Sequence, residues 1–331
     1  MRLSFRWRIG LLGAGILVLL LLYLFGEVSG PQQRTLRASQ RALIGGLAPQ
    51  VVAKVVFSSP DRLTVTLERQ GAAWFVANGT RLLPASGTRV GAMLDGLAGL
   101  SSGRIMTSDP NKKVDFELTT PHVRSVRLYG SDGKSIAEIS VGKAGPGARE
   151  DYLAVDGGNE VHLSPSPLGF YLSQGPTYWY DLALLPYEVT GPTIAEISVS
   201  GAVSNLSAQG TAQLSPENYR LVRSSDSGNE WRAVGVPAKI DQLRVDSFAN
   251  SLAVLQGVDF LAGPVPPTIP GSTVQVDVTT ADGARFHLRG QATIDGQTYL
   301  FARSGGEELY VVNSEAVRRA IVPLRELTLS P

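Results

Sequence analysis

The chain contains no cysteine. Disulfides, thiol nucleophiles and cysteine metal ligands are excluded together, as is the lipid-attachment cysteine of a bacterial lipoprotein. Histidine is almost as scarce. His122, His162 and His287 are the three, and none stands in an H-x-x-x-H or H-E-x-x-H spacing that would bring two imidazoles to one metal. They read as structural positions, His162 as an ordinary strand residue. An excess of either charge is also missing: 30 Lys and Arg face 29 Asp and Glu in 331 residues. Arg2, Arg6 and Arg8 all precede the first acid, Glu27, so 27 basic residues face 29 acidic ones in the rest. That balance disfavours a nucleic-acid surface. With 43% hydrophobic and 18% charged residues, the chain is neither disordered nor a multi-span transporter.

Residues 9–26 carry no charge. At ~1.5 Å per residue such a helix approaches the ~30 Å hydrocarbon layer, with Trp7 and Tyr23 placed for its two interfaces. Three arginines before the run and none just after it predict a cytoplasmic N-terminus at residues 1–8, a transmembrane helix at 9–26 and a stalk at 27–50. The expected location is therefore the inner cell membrane, with one span and everything after it extracytoplasmic. The competing reading is a cleaved signal peptide, for which Val28-Ser29-Gly30 offers small residues. The apolar run exceeds the h-region of about 7–15 residues, which favours an uncleaved anchor.

After the stalk the same succession of patterns runs twice, predicting two tandem α+β modules at 51–188 and 189–331. Each opens with a strand signal (residues 51–58, then 194–200) and reaches a Gly-x-x-Trp strand at Trp74 or Trp231. A helix follows in each. Val90, Met93, Leu94, Leu97 and Leu100 lie on one face at period 3.6, and Val245, Phe248, Ala249, Leu252 and Leu255 repeat the spacing 155 positions later. Ser86 and Asp241 are the expected N-caps, and Gly103 and Gly257 the expected closers. Hairpins with Asp132-Gly133 and Asp282-Gly283 turns come next, then two more strands and a short helix. Period-2 and period-3.6 apolar faces must cover each other, so each module is expected to set one helix against a mainly antiparallel sheet.

Four motifs invite a chemical reading. Gly99-Leu100-Ser101-Ser102-Gly103 matches G-x-S-x-G, but it closes a helix where a nucleophile elbow opens one. Gly142-Lys143-Ala144-Gly145-Pro146-Gly147 joins two predicted strands and lacks the G-x-x-x-x-G-K-[ST] order of a phosphate loop, so it reads as a hairpin loop. Asn78-Gly79-Thr80 and Asn205-Leu206-Ser207 are formal glycosylation triplets. Tyr178-Trp179-Tyr180 is either a partner anchor or internal packing, with packing favoured; Trp74 and Trp231 are read as sheet covers over ligand-stacking groups. No catalytic, cofactor-binding or metal residue is assigned.

The anchor, Trp74, the leucine-rich helix, Phe116-Glu117-Leu118-Thr119-Thr120-Pro121, Val141-Gly142 and Asp151-Tyr152-Leu153 together resemble the domain-of-unknown-function 4340 proteins. The family's stretch is F-G-L-x-x-P, and this chain has Glu117 where the glycine stands. The resemblance implies no catalytic residues. It implies a context, since such members are often encoded beside ABC-type permeases and gliding-motility-like auxiliary transport proteins. The expected function is thus a non-enzymatic extracytoplasmic accessory or binding subunit of an envelope ABC-type transport complex, partnered by membrane proteins and requiring no cofactor. The alternative is a structural envelope protein that binds peptidoglycan or polysaccharide.

Overall fold

The computed structural model describes residues 42–206, 212–224 and 229–329. The expected span at residues 9–26 lies outside them, and among the described residues no helix is long and apolar enough to cross a membrane. The chain divides into two compact units, Met1–Trp179 and Tyr180–Pro331. Residues 180–188, counted with the first module in the sequence, thus pack with the second unit. Leu184 N–H donates to the Leu255 carbonyl at 3.0 Å, Gly257 N–H to that of Leu182 at 2.8 Å, and Leu184 and Leu185 are fully buried. The nearby Pro and Gly marked a turn inside this segment, whereas the division follows where its leucines are buried.

The first unit is one antiparallel sheet. A meander of β1 (Val52–Ser59), β2 (Arg62–Gln70), β3 (Ala73–Asn78) and β4 (Arg81–Pro84) leads into helix α1 (Gly87–Ala98) and β5 (Arg104–Thr107). A 3-10 helix, Pro110–Phe116, then precedes a second meander of β6 (Arg124–Gly130), β7 (Ser135–Ala144), β8 (Glu150–Val155) and β9 (Val161–Pro165). Helix α2 (Leu168–Leu172) and the short α3 (Pro176–Trp179) finish the unit. The neighbour order β4-β3-β2-β1-β6-β7-β8-β9-β5 puts β4 and β5 on opposite edges, so α1 carries the chain across the sheet. Val55, Phe57, Val65, Leu67, Val126, Leu128, Ile139 and Val141 alternate inward along the strands, and Val90, Met93, Leu94 and Leu97 of α1 are buried.

The second unit repeats the plan. Its strands are β10 (Ile194–Leu206), β11 (Ala212–Ser224), β12 (Glu230–Ala233), β13 (Asp259–Phe260), β14 (Val274–Thr280), β15 (Arg285–Ala292), β16 (Thr298–Arg303) and β17 (Leu309–Asn313). Helix α4 (Gln242–Ala253) follows β12, and α5 (Ser314–Ala320) follows β17. The order β12-β11-β10-β14-β15-β16-β17-β13 matches the first sheet strand for strand, except that β4 has no counterpart strand among the described residues. Irregularities match as well. A 3-10 turn precedes each central strand, and a bulge falls between Val52 and Lys54 in one unit and between Ile194 and Glu196 in the other.

Ser86 caps α1 by accepting from Arg89 N–H, and Asp241 caps α4 by accepting from Arg244 N–H. Gly103 and Gly257 do not close those helices, which end at Ala98 and Ala253. They lie where the chain passes a neighbouring strand: a Cβ on Gly103 would sit 2.1 Å from the Leu163 carbonyl oxygen. The hairpin of β10 and β11 is longer than the sequence pattern indicated, with 13 residues in each strand. Gly201 interrupts the apolar alternation, but the strand runs through it to Leu206.

Candidate functional site

The chemistry-bearing part of the first unit lies over β6, β7 and β8, beside the start of α2. Asp109 caps the 3-10 helix by accepting from Asn111 N–H at 3.0 Å, and Phe116 at the helix's other end packs against a small apolar cluster of Leu118, Ala154 and Val161. Phe116 meets Tyr152 at a ring separation of 4.7 Å. The helix ends at Glu117, whose backbone is left-handed with φ 59°. Strand β7 then crosses above. The next residue after Gly142, Lys143, holds its ammonium 5.8 Å from the Phe116 ring centre and 5.9 Å from that of Tyr152. Cation–π attraction so fixes a charge that would otherwise sweep freely through solvent.

Beside this platform opens a cleft of about 800 Å³, bounded by the loop joining β7 to β8 and by the start of α2. Glu117, Arg124, Lys143, Arg149, Pro167 and Phe170 are among its lining residues. Its remaining acids are engaged by backbone. Glu150 accepts from Gly147 N–H at 2.9 Å, and the buried Asp151 accepts from Gly169 N–H at 3.1 Å. Arg124 donates to the Gly142 carbonyl. The loop is closed by Gly145 N–H on the Glu150 carbonyl at 2.7 Å. Among the described residues, the carboxylate of Glu117 and the guanidinium of Arg149 have no hydrogen-bond or ion-pair partner, and Lys143 has only its rings. Phe170 stays 52% exposed at the rim. The arrangement offers two available cations, one available carboxylate and an apolar wall. It contains no serine–histidine or acid–base pair poised around a reacting atom.

A second hollow, of about 520 Å³, lies on the sheet of the second unit. Here Arg220, Ser198, Asp277 and His287 stand in one cross-strand row. His287 Nδ1 is 2.7 Å from Asp277, and Arg220 pairs with Glu196 at 2.7 Å. Asp277 stands between Ser198 and His287, so the imidazole is two strands from the hydroxyl and cannot take its proton directly.

The residues singled out in the sequence fall elsewhere. In the Gly99–Gly103 motif, the Ser101 carbonyl accepts from Ser164 Oγ at 2.5 Å, and the Ser102 carbonyl lies 3.0 Å from His162 Nδ1. The motif is a backbone seam against β9. His162 is buried, with Nε2 3.6 Å from Glu160, while His122 is exposed. No group of three or more His, Cys, Asp or Glu able to hold a metal occurs among the described residues. Asn205 is buried and donates to Ser215 Oγ at 2.8 Å, which withdraws it from modification. Asn78 is exposed.

Trp74 and Trp231 are buried, and Trp231 Nε1 donates to Asp246 at 2.9 Å. Of the aromatic triplet, Trp179 is fully buried and stacks on Phe57 at 5.1 Å, with Tyr178 edge-on to it. Tyr180 meets Phe260 in the second unit. Sequence reasoning passed over Arg124 and Arg149 and saw Lys143 only as part of a loop. The usable signal was the pair of isolated cations, Lys143 and Arg149, bracketing two glycines.

The family described as Domain of unknown function (DUF4340) matches residues 74–277. No curated protein and no solved structure matches the chain.

Proposed function

The chain belongs to the DUF4340 family, and on that footing we propose that it is a non-enzymatic accessory and binding subunit of an envelope ABC-type transport complex. Residues 9–26 tether it, and both units work outside the cytoplasm. The observation that supports binding over catalysis is the make-up of the first-unit cleft: its free groups are cations and one carboxylate around an apolar wall, and no nucleophile stands beside a base. Any transport work is then driven by another subunit. Tethering matters because confinement beside a partner raises the effective concentration of a weak binder to about the millimolar range.

Purification of the full chain in mild detergent tests this reading. ABC components copurify, survive replacement of residues 9–26 by an unrelated span, and weaken when the units are released as a soluble form. A reporter fused after Pro331 functions only outside the cytoplasm, and protease added to spheroplasts digests both units. The rival is a structural protein binding peptidoglycan or polysaccharide, favoured by the exposed Phe170 ring edge-on to Tyr178 at 5.6 Å. Failure of ABC components to copurify, together with sedimentation of the soluble form with cell-wall polymer, would decide for that rival.

A further inference from the structure

Four described residues other than glycine have left-handed backbones: Glu117, Arg149, Asp156 and Asn229. Asp and Asn visit that region at low cost because their short side chains bond locally. Glu and Arg have no such excuse, and glycine would fit either position more easily. Both of these costly residues line the same cleft, and both side chains lack a hydrogen-bond or ion-pair partner among the described residues. Strain kept at two converging charged groups, without structural bonds to those side chains, is the signature of a site maintained for what it binds.

We propose that this cleft binds a small organic monoanion, a carboxylate joined to an apolar group. Arg149 supplies the planar fork that matches a carboxylate's two oxygens, and Lys143, held over Phe116 and Tyr152, adds a second positive charge. Exposed Phe170 and half-buried Pro167 take the apolar part. Glu150 and Asp151 keep their negative charges while each accepts a backbone N–H, and Arg124 in the same lining offsets one of them, so the anion is held by directed bonds from Arg149 and Lys143 and not by an excess of positive charge. Glu117 remains as one free negative charge in the cleft, which penalises a dianion more than a monoanion. A cleft of about 800 Å³ suits a ligand of this size. The inference rests on reading the cleft as a binding site. It is tested by ligand occupancy, whereas the transport role is tested by complex membership, so the two fail separately.

The full chain in non-ionic detergent is titrated calorimetrically with 3-phenylpropionate, with neutral 3-phenylpropanol and dianionic phenyl phosphate at pH 8 as comparisons. The expected result is saturable binding of the carboxylate, weaker binding of the phosphate and none of the alcohol. Arg149→Gly loses about tenfold or more in affinity, as does Lys143→Gln, in keeping with the loss of charge-assisted hydrogen bonding to the carboxylate. Arg149→Gly also unfolds at a higher temperature, since glycine relieves the left-handed backbone. That pairing of a steadier fold with weaker binding is what a merely structural arginine would not give. Absence of saturable binding up to about 10 mM, a Kd worth only ~2.7 kcal/mol, overturns the proposal. So does unchanged binding in both variants, or a lowered unfolding temperature in Arg149→Gly. Phenyl phosphate binding more tightly than the carboxylate overturns the monoanion assignment.

Discussion

The carbonyl oxygen of Phe116 lies 1.9 Å from where a Cβ on Gly142 would stand. The cleft platform exists because β7 has no side chain at that crossing. Gly142→Ala must push the 3-10 helix away or bend β7, and overpacking of this kind costs about 1–3 kcal/mol. Gly91, inside α1 with nothing within 4 Å of its Cβ position, is the contrast. Gly91→Ala should stabilise the fold by roughly 0.5–1 kcal/mol. Urea unfolding of both variants checks the opposite signs.

Leu97 and Leu252 occupy matching places on α1 and α4 and are 1% and 0% exposed. Each Leu→Ala change should cost about 2–5 kcal/mol, from lost transfer energy plus the cavity left behind. Denaturant titration of the single variants measures it. A loss below about 1 kcal/mol at either site would mean that the surrounding sheet collapses into the gap.

Asp246 Oδ1 accepts from Trp231 Nε1 at 2.9 Å and from the Arg223 guanidinium at 2.8 Å, and that guanidinium lies 4.5 Å from the indole centre. One carboxylate thus ties α4 to β11 and β12. Asp246→Ala should destabilise by about 1–3 kcal/mol, because the buried indole N–H loses its acceptor. Asp246→Asn, which keeps an acceptor oxygen, should lose less. Equal losses in thermal unfolding would assign the effect to charge alone.

Glu117 stands where the resembling family's pattern has glycine, and its φ of 59° gives the reason for that glycine. Glu117→Gly should stabilise the fold by about 1 kcal/mol by removing the steric cost of a left-handed Cβ. An unchanged or lower melting temperature would show that the carboxylate makes a stabilising contact.

The turns at Asp282 and Asp295 share one design. The Thr280 hydroxyl and Ala284 N–H hold the Asp282 carboxyl below the usual carboxylate range, and the Thr293 hydroxyl and Gln297 N–H do the same for Asp295. Arg318 and Arg319 lower Glu315 in the same direction. Carboxyls depressed in the folded state stabilise above their unfolded pKa of about 4, and that stability is lost as pH falls through the folded values. The urea midpoint should therefore drop below about pH 4. The Asp282→Asn, Asp295→Asn double variant should lie below the parent at pH 7 and converge on it near pH 3. A gap that stays constant with pH would remove these two carboxyls from the acid response.

The elements that could be read in advance are those whose instructions sit within a few residues. The buried face of α1, its Ser86 cap, the Asp132-Gly133 and Asp282-Gly283 turns and the alternation in β6, β7, β14 and β15 are all local, because backbone sterics and side-chain periodicity act over one or two turns. The second unit's boundary was not local. Pro186 and Gly191 mark turns, while burial of Leu184 and Leu185 against the second unit's own residues sets where the division falls. Short β4, β5 and β13, and the continuation of β10 beyond Gly201, owe their existence to a paired neighbour more than to their own pattern. The cleft is the extreme case. Residues 117, 143, 149 and 170 are separated along the chain and carry no shared motif. They meet because β6 pairs with β7, β7 with β8, and β8 with β9, and because Gly142 lets the 3-10 helix approach. By itself the sequence determined the repeated alternation of strands and helix, since each signal is written in adjacent residues. Only the tertiary structure decided which charges were left without partners, because a side chain's partners depend on what the whole sheet brings beside it.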